Sequence, residues 1–220
     1  TMGLATSMAE QKARDAGETQ DPPLPTPAQR VLMAPTPLFH VTACNCIMHA
    51  ATIGGAKVVL MYKWDAGRAL ELIEREGVTN FSGVPTMSRE MLLHPDWARR
   101  DTSTLQGMGG GGAALQPDLV GKIAGALDKG QPTTAYGMTE TSPVSTQSFF
   151  DDPLEKRVST VGKVHPHLEI KIVDPQTGRI LPRGSEGELC TRGYSVMRGY
   201  WNMPEATREV IDDARWMHTG

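Results

Sequence analysis

Cysteine is scarce and badly placed for a scaffold: Cys44, Cys46 and Cys190 form an odd set with no Cys-x-x-Cys spacing. That argues against a disulfide framework and against a cysteine-built zinc site, and makes a reducing cytoplasm the expected compartment. No apolar run approaches the roughly 18 to 20 residues that span a bilayer. Residues 1–20 carry acidic and basic side chains where a secretion signal would be apolar. There is no Lys/Arg run either: 22 basic residues face 25 acidic ones at a net charge of −3, so a nucleic-acid partner is not expected. Internal repeats are absent. What remains is an ordinary soluble composition, 39% hydrophobic over 220 residues, enough for one large domain or two small ones. Thr1 is not an initiator, and the chain stops after Trp216, Met217, His218, Thr219 and Gly220, where more structure would normally follow. The expectation is a piece of a longer protein.

Residues 4–17 read as a helix that runs into a proline-rich linker at 21–27, a stretch unable to hold helix or a central strand. Short β-branched runs then alternate with helical periods, the pattern of parallel β-α-β construction. The runs are 31–34, 57–61, 78–82, 105–109 and 133–136. Between them, Ala69, Leu72 and Ile73 share one helical face, as do Leu119, Ile123 and Leu127. Beyond about residue 158, Leu168, Ile170 and Ile172 alternate, a turn follows at 174–178, and 187–191 reads as a further strand. The fold class expected is α/β. A mostly parallel sheet flanked by helices occupies 31–150 after the 1–30 helix and linker, and a smaller antiparallel β subdomain occupies 151–220. An open edge of that sheet would be free to pair with a second copy, a homo-oligomer.

Three segments carry chemistry. Tyr136, Gly137, Met138, Thr139 and Glu140 follow an expected strand. There an aromatic ring can stack on a base, a glycine permits a tight turn, a hydroxyl can meet a phosphate, and a carboxylate offers hard oxygens to Mg²⁺. The plainer alternative is a strand-ending turn with a half-buried tyrosine and a solvated glutamate. Gly109 to Gly112 with Ala113 and Ala114 lie between a strand and the helix that Pro117 and Asp118 open, and read as a loop of close backbone approach rather than a flexible linker. Gly107, Gly109 and Gly112 also satisfy Gly-x-Gly-x-x-Gly, which raises a dinucleotide-binding domain without ligase activity as a rival. The next strand offers no carboxylate for a ribose, so the match is weak. Pro35 to Val41 delivers Phe39 and His40 to the start of a helix, where His40 lines a pocket or, more plainly, caps or fills the core. His165 and His167 flank Pro166, but two imidazoles without further ligands do not make a metal site.

Taken in order, these segments resemble the adenylate-forming family of acyl-CoA synthetases, aryl-CoA ligases, luciferases and peptide-synthetase adenylation domains. The matching segments are Pro37 to His40, Gly111 to Ala114, Tyr136 to Glu140, and Gly187, Glu188 and Leu189 with Arg192 and Gly193. Val161 to Val164 before Glu169 to Asp174, and Gly199 to Asn202 before Pro204 to Thr207, also fit. One such match could be chance; six in order could not. The sequence departs from the pattern at Leu115, where the family often has proline, and at Thr134 and Ala135, where glutamine and glycine are more usual.

The resemblance implies part of the family's N-terminal domain. It implies that Tyr136 stacks on adenine, with Gly111, Gly112, Ala113, Ala135 and Gly137 beside the nucleotide. Thr139 would contact phosphate, Glu140 would hold Mg²⁺, and His40 would line the acyl pocket. The substrates implied are a carboxylic acid, ATP and coenzyme A. A carboxylate attacks the α-phosphate to give an acyl adenylate, and a thiol then displaces AMP. Leu38 to Thr42 contains no carboxylate for a substrate ammonium, which disfavours an amino acid. The His40 form and the small Gly137 point to a fatty acid, with an aryl acid as the alternative. The family's phosphate loop finds no match in residues 1–34. The ribose-binding aspartate would follow Gly220, and the lysine of the mobile C-terminal domain lies further on, so the 220-residue chain alone is expected to be inactive.

Overall fold

A computed structural model describes residues 29–113, 116–127, 134–149 and 151–220. The expected helix at 4–17, the linker at 21–27, Ala114, Leu115 and Thr133 lie outside the described residues. The chain divides into two compact units, Thr1–Pro132 and Thr133–Gly220.

The first unit holds four parallel strands: β1 Val31–Ala34, β2 Lys57–Leu60, β3 Asn80–Gly83 and β4 Gly107–Gly110, in the order β2-β1-β3-β4. Every residue of β1 is buried, because a strand inside a parallel sheet is covered on both faces. Its side chains divide with period two. Val31 and Met33 join one core with Leu70, Ile73, Phe81 and Met91, whereas Leu32 and Ala34 join another with Ala43, Ile47 and Ala51.

Helices supply both covers. A π-helical stretch, Thr42–His49, continues into α1, Ala50–Ile53, on the second core. Helices α2, Ala66–Glu76, α3, Pro85–Leu93, and α4, Pro117–Ala126, cover the first. The sequence signs α2 at both ends. Asp65 accepts a hydrogen bond from Arg68 N at 2.7 Å, and Gly77 ends the helix in the left-handed region at φ 65°. Pro85 stands in the first turn of α3, where its missing N–H goes unmissed. The chain steps from β1 to β2 on one side and then crosses to β3 on the other, so its winding reverses between β1 and β3. In open parallel sheets ligands bind at the carboxyl ends of the strands at such a reversal.

The second unit is antiparallel. β5 Ala135–Tyr136, β6 Thr146–Gln147 and β7 Lys163–Val164 form one sheet in that order. β8 Leu168–Val173, β9 Glu188–Gly193 and β10 Met217–His218 form another, ordered β10-β9-β8. Short helices α5, Leu154–Ser159, and α6, Pro204–Val210, complete it. The turn expected at 174–178 is present: Asp174 Oδ1 accepts from Gln176 N and Thr177 N, and Gly178 is left-handed.

One strand differs from its expected setting. Residues 133–136 read as a further parallel strand, but β5 pairs antiparallel with β6. The cause is local: the chain turns back within ten residues, and Ser145 N donates to Tyr136 O at 2.8 Å. Alternation in a short strand reports burial, not the direction of its partner. No helix among the described residues is long and apolar enough to cross a membrane.

Candidate active site

The predicted site residues fall in both units: His40, Gly111, Gly112 and Ala113 in the first, Ala135, Tyr136, Gly137, Thr139 and Glu140 in the second. In the first unit they follow the carboxyl ends of β1 and β4. After β1, His40 N donates to Pro37 O at 2.9 Å, and Cys44 N to His40 O at 3.0 Å begins the helix. Thr42 N donates to His40 Nδ1 at 3.1 Å, so the neutral ring carries its proton on Nε2. Phe39 beside it is 91% exposed, an apolar side chain that the first unit does not cover.

After β4, Gly111 N donates to Gly83 O at 3.0 Å and extends the ladder by one residue. A Cβ on Gly111 would lie 3.3 Å from Thr42 Oγ1, so this loop runs beside the helix start that positions His40. Gly112 has φ 82°, in the left-handed region, and a Cβ there would meet only Val84 at 3.9 Å. Backbone conformation, not crowding, selects glycine at this position. Gly112 and Ala113 are exposed. The dinucleotide reading loses its geometry here: Gly107 and Gly109 lie within β4, and α4 begins at Pro117, so these glycines do not form a strand-to-helix turn.

In the second unit the whole Tyr136 to Glu140 segment is held from behind. Tyr136 donates from its hydroxyl to Thr219 Oγ1 at 2.9 Å, and Thr219 Oγ1 donates to Leu189 O at 2.9 Å. The phenol end of the ring is thereby tied down, with Tyr136 half-buried and Ala135 exposed beside it. A Cβ on Gly137 would lie 1.7 Å from Pro143 O, so the returning chain admits only glycine. Thr141, fully buried, accepts from Met138 N and donates to Met138 O, each at 3.0 Å, and closes a helical turn over Thr139–Thr141.

Thr139 is exposed on that turn and Glu140 half-buried beside it. Glu140 is gripped twice, by Met197 N on its backbone oxygen and by the Tyr200 hydroxyl on Oε1, both at 2.8 Å. The glutamate bond, followed by burial, pushes the Tyr200 phenol above its usual range.

Two other places in the second unit bring metal-ligating residue types near one another. His165 lies against Phe149, and burial holds its imidazole below the ordinary range; His167 has a left-handed backbone at φ 63°. Among the described residues, neither belongs to a group of three or more side chains placed to hold a metal. Glu188, Cys190 and His218 place an oxygen, a sulfur and a nitrogen within 4.8 Å of one another. Burial, reinforced by Glu188, pushes the Cys190 thiol up, and its Sγ lies 3.5 Å from His218 Nδ1. The Glu188 oxygens are engaged by His218 at 3.0 Å and Gly220 N at 3.2 Å. This cluster is a clasp that fixes β10 on β9, and with it Thr219 behind Tyr136.

Sequence reasoning missed Thr219 and Tyr200 as supports for Tyr136 and Glu140. They stand 83 and 60 residues away from those partners, and a hydroxyl near a chain end or an aromatic in a loop gives no local signal.

Residues 3–201 match the family described as AMP-binding enzyme. The chain is 36% identical to 4-coumarate-CoA ligase 1 of Narcissus pseudonarcissus over 99% of its own length and 39% of that protein. It is also 36% identical to the mitochondrial medium-chain acyl-CoA ligase ACSF2 of Homo sapiens over 89% of its length and 32% of that protein. Among solved structures, ATP-bound MatB from Rhodopseudomonas palustris matches with a TM-score of 0.76 at 28% identity, covering 87% of this chain and 37% of that one. The inhibitor-bound N-terminal domain of FACL13 from Mycobacterium tuberculosis matches with a TM-score of 0.75 at 26% identity, covering 87% and 46%. The chain thus spans less than two fifths of the curated relatives named, and with its parallel sheet, antiparallel sheets and ordered segments it belongs to the AMP-binding enzyme family.

Proposed function

We propose that the protein containing this chain activates a fatty acid with ATP as the acyl adenylate and passes the acyl group to coenzyme A. The observation that carries this reading is the Tyr136 to Glu140 segment. It offers a ring tied by its hydroxyl, an exposed threonine hydroxyl and a carboxylate braced at one oxygen, within five consecutive residues. In this reading Tyr136 stacks on adenine, Ala135 and Gly137 border it, and Thr139 donates to a phosphate oxygen. Gly111, Gly112 and Ala113 lend backbone to the nucleotide, and His40, with Nε2–H free of its Thr42 contact, faces the reacting carboxylate.

Glu140 fits Mg²⁺, which binds through one or two carboxylates together with nucleotide phosphates. Bound there, the ion would neutralise phosphate charge as two anions meet. The chain's own residues align the groups and supply donors where negative charge develops.

The acid is read as fatty on the His40 form and on the likeness to a medium-chain acyl-CoA ligase. Gly137 adds nothing to that choice, since Pro143 alone requires it. The equal likeness to 4-coumarate-CoA ligase 1 supports an aryl acid as the second reading. The 220-residue chain on its own is proposed to be inactive, and the expected compartment is the cytoplasm. The test is acid-dependent exchange of pyrophosphate into ATP by the full-length protein, over a panel of fatty and aromatic acids. Exchange with fatty acids supports the reading, exchange with aromatic acids alone supports the second, and none with either overturns both.

A further inference from the structure

We propose that Tyr200 is a positioning residue for Glu140, fixing the orientation of a carboxylate that meets a divalent cation bound to the nucleotide phosphates. The proposal rests on the functional reading above for the cation, and on geometry for the rest. Glu140 is held at both ends by one loop. Met197 N donates to its backbone oxygen at 2.8 Å, and the Tyr200 hydroxyl donates to Oε1 at 2.8 Å.

The loop itself is pinned to the first turn of α6. Tyr200 N donates to Thr207 Oγ1 at 2.9 Å, Thr207 Oγ1 donates to Met203 O at 2.8 Å, and a Cβ on Gly199 would lie 2.8 Å from Thr207 Cγ2. Thr207, Tyr200 and Glu140 therefore form a chain of fixed contacts that ends on one carboxylate oxygen. A phenol hydrogen bond uses one lone pair of Oε1 and leaves Oε2 and the remaining pair for a cation. Mg²⁺ demands near-ideal octahedral geometry, so a carboxylate free to rotate is a poorer ligand than one already oriented. Hydrogen-bond partners of metal ligands typically contribute about 10- to 100-fold to affinity.

The experiment uses the full-length protein with ATP and Mn²⁺ as the probe, and reads Mn²⁺ affinity in the ternary complex by electron paramagnetic resonance. Nucleotide affinity without metal is measured alongside. Tyr200→Phe is expected to weaken Mn²⁺ by about tenfold with metal-free ATP affinity unchanged, and to add nothing in a Glu140→Gln background. In acid-dependent exchange the same variant should raise the Mg²⁺ concentration for half-saturation and leave KM for the acid unchanged. A merely structural tyrosine would move KM for the acid, or lower metal-free ATP affinity, and either result overturns the proposal. Unchanged Mn²⁺ affinity in Tyr200→Phe with loss in Glu140→Gln overturns the positioning role and leaves the functional reading intact. A wild-type protein that binds neither ATP nor ATP with Mn²⁺ overturns both. If Tyr200→Phe does not fold, Thr207→Val, which releases the Tyr200 backbone and keeps the phenol, is judged by the same criteria.

Discussion

The glycines after β4 and the glycine after β5 occupy opposite surroundings. A Cβ on Gly109 would meet nothing within 4 Å and one on Gly112 only Val84 at 3.9 Å, whereas one on Gly137 would lie 1.7 Å from Pro143 O. The fold's own packing requires Gly137 and leaves Gly109 and Gly112 in open space. Glycines that packing does not need, set at the carboxyl end of a parallel strand, leave backbone open to a flat or anionic ligand. One residue type thus serves two ends: it closes a turn in the second unit and leaves room beside the backbone in the first.

That contrast can be broken by substitution. Gly137→Ala should destabilise the protein most, by about 3 kcal/mol or more, because the clash is with backbone and no side chain can yield. Urea unfolding of the 220-residue chain reads it. Thr141→Val should follow at about 1 to 3 kcal/mol, since it leaves the Met138 N–H without the hydroxyl that satisfies it. Gly112→Ala should cost about 1 to 2 kcal/mol through its left-handed backbone alone. Gly109→Ala, extended and unobstructed, should stay within about 1 kcal/mol of wild type. Equal losses at Gly137 and Gly109 would erase the comparison.

Acid should act on the second unit through His165. Burial depresses its folded-state pKa, so the unfolded chain takes up a proton first, near the ordinary value of about 6.5. Stability is therefore full above about pH 6.5 and falls as pH drops below it toward the folded pKa. His165→Gln should flatten the pH dependence of the unfolding free energy between about pH 7 and 5. An unchanged slope would assign that dependence to other groups.

Much of the fold was legible because its cues are local. β1 begins and ends where the apolar run does, and α2 carries its aspartate cap and terminal glycine in the sequence. β3 and β4 run about two residues later than their apolar runs suggested, since Val78 and Leu105 are core residues that precede the ladder. The start of the helical stretch 42–53 was legible in Pro35 to Val41, but its extent was not. Its buried face is built from Thr42, Ala43, Ile47 and Ala51, residues too small or too polar to mark a periodic stripe.

At the site, the contiguous Tyr136 to Glu140 segment stood out, and the supports behind it did not. The Glu140 to Tyr200 and Tyr136 to Thr219 contacts exist only once distant strands have paired. Sequence spacing reports neighbours along the chain, and those pairs are neighbours in space alone.

The central claim, that the protein containing this chain forms an acyl adenylate, is tested most directly without coenzyme A. Full-length protein is incubated with a fatty acid, Mg²⁺ and ATP labelled at the α-phosphate, and the products are separated. The expected product is a labelled acyl-AMP that depends on the acid, appears with pyrophosphate, and is consumed with release of AMP when coenzyme A is added. Acid-dependent formation of ADP, or no labelled adenylate with any carboxylic acid, would contradict it.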